Sequence, residues 1–204
     1  MSLAFRALLL VVFISVCAHA QTRELAVYLE PALGLDSEAD RTMRNELQKL
    51  LAPAGLEITW KNLSERKAGE NFELVAVSSF EGSCATGEAP AMPTATALAD
   101  TSISNAHILP FFRVACARVL QMLGSHVEPA VLGRALGRVM AHEIYHIVSQ
   151  TKDHQETGVA KAVFSLADLT AARFEFDAWS LARMRPVARM AGAATKKRLT
   201  ALSN

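Results

Sequence analysis

The chain has 204 residues with 21 Lys and Arg against 20 Asp and Glu, a formal net charge of +1. Such a length suits one domain with a sizeable core, and so balanced a charge gives no electrostatic case for a nucleic-acid partner. Half of the residues are apolar, at 51%, and the first twenty account for part of that.

Residues 1–20 read as a secretory signal peptide. One cation, Arg6, precedes the apolar run Ala7 to Ile14, and the segment closes on the small-x-small pattern Ala18-His19-Ala20. The run is too short to span a bilayer. A lipoprotein signal ending at Cys17 is the competing reading, against which stands the bulky Val16. The expected mature chain is one domain, residues 21–204, secreted or periplasmic. It keeps Cys84 and Cys116, and outside the cytoplasm an even pair reads as a disulfide.

Residues 24–29 alternate and are rich in strand formers, so a first strand is expected there. A loop over 31–36 leads into a helix over 37–52 with Met43, Leu47, Leu50 and Leu51 on one face, stopped by Pro53-Ala54-Gly55. Strands follow over 56–60 and 72–80, separated by a polar loop over 62–71. Residues 81–96 hold several Gly and Pro and read as an irregular excursion. The stretch 107–112 resembles a further strand, which Pro110 confines to a sheet edge or a bulge.

From Val114 the pattern becomes helical, breaks at Gly124, and restarts with Pro129 as the first residue of a helix through Val148. Gly133 and Gly137 suit close packing of that helix on a neighbour. Ser165 and Asp168 suggest a capped helix of about fifteen residues ending before Pro186. A last basic helix is expected over 187–202, either solvated or facing an anionic membrane surface. The order predicts an α+β fold with a small mixed sheet packed against helices. Phe111, Phe112, Phe174 and Phe176 read as core or cleft wall.

The chemistry lies in His142-Glu143-Ile-Tyr-His146. On a helix, positions four apart share a face about 6 Å apart along the axis, so two neutral imidazoles can take one metal ion from the same side. Glu143 then points beside the metal and can accept a proton from a water that zinc has acidified. A catalytic zinc site needs a third protein ligand. His154 is the preferred candidate, and the carboxylates Glu175 and Asp177 are the alternatives. His154 follows His146 by eight residues, about 12 Å along an unbroken helix. Its use therefore demands a helix end between Ile147 and Asp153. Asp153 is the residue expected to tolerate a left-handed turn, with Ser149 and Thr151 helping to release the helix. His107 and His126 lack ligand-spaced partners and read as surface or structural groups. Tyr145 could aim a hydroxyl at an oxyanion or pack in the core.

On these residues the chain resembles the metzincin-like zincins, and more closely small exported bacterial metallopeptidase-like proteins. The matching stretch is His-Glu-Ile-Tyr-His-Ile-Val-Ser-Gln-Thr-Lys-Asp-His followed by Gly158. The resemblance implies a zinc metallopeptidase with His142, His146 and His154 as ligands, Glu143 as general base, and a peptide or protein substrate. It also implies that an edge strand around 104–112 pairs with an extended peptide. Ser149 and Lys152 stand where standard metzincins carry glycine and histidine, and the family's methionine turn has only Met184 or Met190 as loose candidates. Two other readings stay open: an exported zinc-binding protein without peptidase activity, and a secreted interaction domain with a chance motif.

Overall fold

The computed structural model describes residues 22–67, 69–87 and 95–185. The expected signal peptide, the basic helix over 187–202 and Met190 lie outside the described residues, as does the middle of the 81–96 excursion.

The described residues begin with β1 (Arg23–Leu29), then α1 (Ser37–Leu51), β2 (Leu56–Asn62) and β3 (Leu74–Glu81). Asp36 caps α1 by accepting from the Glu38 amide at 2.7 Å. A single 3₁₀ turn at Ala52–Ala54 ends on Gly55, whose φ of 78° reverses the chain into β2. A two-strand hairpin follows, β4 (Ala99–Ser104) and β5 (His107–Ala115), and then α2 (Cys116–Leu123) and α3 (Pro129–Ser149). Two short helices, α4 (Leu166–Thr170) and α5 (Ala178–Met184), finish the described chain. The fold is α+β, as expected.

The five strands among the described residues form one sheet in the order β2-β1-β3-β5-β4. The first four run parallel, and β4 alone is antiparallel, on the outer edge. The expected edge strand over 104–112 is therefore corrected. β5 sits inside the sheet, between β3 and β4, and the edge belongs to β4. Pro110 is tolerated because pairing with β3 starts at Phe111 and the ladder with β4 is irregular between Thr101 and Ile103. The hairpin turns through Asn105 and Ala106, at φ 48° and 63°, a pair of left-handed residues that matches strand twist without a glycine.

One sheet face carries Leu25, Val27, Leu29, Ala76, Phe112 and Val114 into the core, where they meet Met43, Leu47 and Leu51 of α1 and Leu132, Leu136 and Met140 of α3. Period two in the strands and a shared face in α1 place all of these on one interface. Phe111 points the other way and is 49% exposed, so it is neither core nor cleft wall.

α3 is buried nearly all round, and its closest neighbour is α1. A Cβ on Gly133 would lie 2.3 Å from the Ala39 carbonyl oxygen, and one on Gly137 would lie 2.7 Å from that of Met43. Both clashes are with backbone, which only a helix shift relieves. The fully buried Arg138 adds a polar clamp. Its guanidinium donates to Glu46 of α1 at 2.8 Å and to the carbonyls of Asp168 and Ala171 at 2.6 and 2.7 Å. One side chain thus joins α1, α3 and the segment around α4.

That segment departs from the expected fifteen-residue helix. Ser165 and Asp168 do form a capping box, but the helix stops at Thr170, where Ala171 turns extended. Two of the carbonyls released there are the ones Arg138 binds. Phe174 and Phe176 then lie outside any helix or strand, Phe176 buried, before Asp177 caps α5. The disulfide Cys84–Cys116 is formed and ties the stretch after β3 to the first turn of α2. No helix among the described residues is long and apolar enough to cross a membrane.

Gly133→Ala is expected to destabilise the fold by about 1–3 kcal/mol through overpacking, read as a lower urea midpoint at unchanged slope. A neutral or stabilising effect would contradict the contact.

Candidate metal centre

Helix α3 presents His142 and His146 on one face, and its termination brings the third histidine back. Gln150 adopts the left-handed conformation (φ 49°, ψ 44°) and its amide donates to the His146 carbonyl. The Thr151 amide reaches the same carbonyl at 3.4 Å, and the Gln150 side chain donates to Ile147 O at 2.7 Å. The freed carbonyls of the last turn are thereby satisfied without glycine. The helix end falls in the expected window, but the left-handed residue is Gln150 and not Asp153. Asp153 and Thr151 instead bond to one another through side chain and backbone, at 2.9 and 3.1 Å, which shapes the loop carrying His154. The Gln155 amide then donates to Ala160 O at 2.9 Å and anchors the far side of that loop.

The result is a cluster. One ligand atom from each of His142, His146 and His154 lies within 4.8 Å of the other two, so the group can hold a metal ion. The ring orientations favour this. His142 Nδ1 lies 2.8 Å from Val159 O, and His146 Nδ1 lies 2.7 Å from Thr151 O. A carbonyl can only accept, so each Nδ1 carries the proton and each Nε2 keeps its lone pair. Those two Nε2 atoms are 3.0 Å apart. Two lone pairs converging at that distance repel one another unless a cation takes both. Zinc bonded at about 2.0–2.1 Å in tetrahedral geometry asks for nitrogens roughly 3.4 Å apart, close to the spacing of this pair. His154 is exposed on its loop and completes the set from the open side.

Burial pushes His142 down to about 4, outweighing its hydrogen bond to Val159 O, and it depresses His146 in the same way. Both rings are therefore neutral near neutral pH, the form a metal requires. Phe164 packs edge-on against His142, with centroids 5.5 Å apart. Tyr145 is fully buried with its ring against His146 and Phe176, so it belongs to the core and does not face the cleft.

Glu143 lies beside the cluster and is only 6% exposed. Its Oε2 accepts from Thr101 Oγ1 of β4 at 2.5 Å. Burial nevertheless raises its carboxyl to about 7, against the lowering effect of Thr101. The three histidines, Glu143 and Thr101 line a common cavity of about 300 Å³.

The alternative third ligands are elsewhere. Asp177 caps α5, accepting from the Ser180 amide at 2.9 Å and its hydroxyl at 2.8 Å, while Glu175 pairs with Arg173 at 3.5 Å. His107 and His126 are exposed and outside the cluster. Met184 is buried in the core. Sequence reasoning missed Thr101, whose polar strand Ala-Asp-Thr-Ser-Ile-Ser carries little strand signal. It also missed the carbonyls of Thr151 and Val159, which as backbone atoms have no sequence signal. No protein-family model matches the chain, and no curated protein sequence matches it.

If the cluster holds a metal, zinc at 100 times its dissociation constant raises stability by about 2.7 kcal/mol, seen as a higher melting temperature. His154→Ala is expected to remove most of that gain and to lower the metal content per chain in mass spectrometry. An equal gain in the variant would exclude His154 as a ligand.

Proposed function

We propose that this protein is an exported zinc-dependent metallopeptidase that hydrolyses peptide bonds with Glu143 as general base. The convergence of two metal-ready Nε2 atoms, joined by a third histidine from beyond the helix end, is the observation that carries this reading. Three imidazoles with no fourth protein ligand among the described residues suit an open, catalytic zinc site more than a closed structural one. Imidazole sets also take other transition metals; the opening left for substrate and the adjacent carboxylate favour zinc. The resemblance to the zincins, read from the motif and the order of elements before it, points the same way.

When bound, zinc supplies a water of lowered pKa and a Lewis acid for the scissile carbonyl. Glu143 takes the proton of the attacking water and delivers it to the leaving amine. Its burial suits this task, since a base whose pKa lies near the working pH both accepts and returns a proton. Thr101 fixes which carboxylate oxygen is free. It is a positioning residue, and because it sits on the outer strand β4 it links the base to the edge along which an extended peptide would pair. Export is supported by the N-terminal pattern and by the Cys84–Cys116 disulfide, which belongs to an oxidising compartment.

Glu143→Gln is expected to abolish hydrolysis of a fluorogenic peptide mixture, a loss of at least ~10²–10⁴-fold, with zinc content unchanged. Retained activity would refute the mechanism. Failure of the unaltered, zinc-loaded protein to cleave any peptide would favour a zinc-binding protein without catalysis. Thr101→Val should lower kcat by roughly tenfold, the size of one charge-assisted hydrogen bond. KM should shift little and Thr101→Ser should restore the rate; a loss that serine does not rescue would make Thr101 merely structural.

A further inference from the structure

Beside the metal centre, on the other flank of His142 and Glu143, lies a second cleft of about 420 Å³. Its walls come from four parts of the chain. The approach to β4 contributes Leu98, α3 contributes Val139, and the segment before α4 contributes Phe164. The remaining wall is α2, which offers Arg118 and Met122, one helical turn apart and so on one face. The opposite face of α2 is spent on the core through Cys116, Val119 and Leu120. Helix geometry thus aims Arg118 at the cleft and leaves it no route into the protein.

The charges of this cleft are one-sided. Apart from Glu143, the charged side chains lining it are Arg118 and Lys161, and the cavity of the metal centre adds Lys152. Lys161 is neutralised by Asp168 at 2.5 Å. Arg118 has no carboxylate partner among the described residues, and its one side-chain hydrogen bond is to the neutral Gln121. An arginine held over an apolar pocket without an anion is a fork of donors for a carboxylate.

We infer that this cleft is a specificity pocket for a carboxylate carried on a short apolar stem, with Arg118 as the recognising residue. The inference rests on the metallopeptidase reading for its substrate class. Apolar atoms of the stem pack on Leu98, Met122, Val139 and Phe164, and the guanidinium takes the terminal oxygens. A glutamate side chain next to the cleaved bond and the free α-carboxylate of a peptide's last residue present the same chemistry.

Malonyl-type hydroxamates, which carry the chelating group on the N-terminal side of an amino acid and leave its carboxyl end available, separate these sources. They need no turnover, because the hydroxamate anchors on the metal. The zinc-loaded protein is titrated with compounds bearing Glu, Gln or Leu, each as a C-terminal acid and as an amide, with affinity read by calorimetry. The expected result is a gain of about tenfold for one carboxylate source over its neutral counterpart, the size of one hydrogen bond to a charged group. A gain of Glu over Gln among the amides assigns the pocket to a side chain, and a gain of acid over amide for Leu assigns it to the C-terminus. In Arg118→Gln the ratio falls to about one at equal zinc content and melting temperature, and in Arg118→Glu the order inverts. The inference is overturned if neither source gains, if the gain survives Arg118→Gln, or if no hydroxamate binds. If the carboxylate preference holds while no peptide is ever cleaved, the peptidase reading falls and the pocket stands.

Discussion

An α-helix carries residues eight positions apart about 12 Å from each other along its axis, so His146 and His154 meet only because α3 ends between them. Gln150 is the residue that ends it, in a left-handed conformation that an L side chain adopts at a cost of about 1–2 kcal/mol. The cost is offset locally. The Gln150 amide and side chain satisfy carbonyls of the last turn, and Thr151 O receives the His146 Nδ1 proton. The same reversal therefore stops the helix, orients its second histidine and returns the third. Site geometry and chain reversal are one structure.

The rest of the molecule holds α3 still while this happens. Close approach to α1 at Gly133 and Gly137 sets the depth of the helix, and Arg138 sets its relation to the chain around α4. That chain supplies the Val159 carbonyl for His142 and the Phe164 ring beside it. A buried arginine paired to Glu46 is a weak source of net stability, but it fixes three segments relative to one another, and the His142 ring depends on two of them. Gly158 contributes to the same end: at φ 68° its backbone passes so close to Glu175 O that a Cβ would lie 2.5 Å from it.

The sheet reaches the site through its outermost strand. β4 is the antiparallel member, and its Thr101 bonds Glu143 directly. The carboxylate is thus shared between helix and edge, with the histidine cluster on one flank and the cleft of Arg118 on the other. Glu143 is desolvated by this enclosure, and its raised pKa is a consequence of the packing more than of any charge nearby.

Much of this was legible in the chain itself. Periodicity located β1, α1, β2, β3 and α3, Pro129 marked the start of the long helix, and the spacing of His142 and His146 placed two candidate metal ligands on one face with a carboxylate beside them. Cys84 and Cys116 pointed to their pairing. Those features are local, so helix and strand geometry alone can read them. Tertiary structure decided the remainder. It chose Gln150 over Asp153 for the turn, gave the edge to a polar strand with a glycine-free hairpin, and split the expected C-terminal helix where Arg138 takes its carbonyls. It also left Glu175 and Asp177 to an ion pair and a helix cap. Each of those outcomes depends on a partner distant in sequence, often a backbone carbonyl, and a carbonyl is the same atom in every residue.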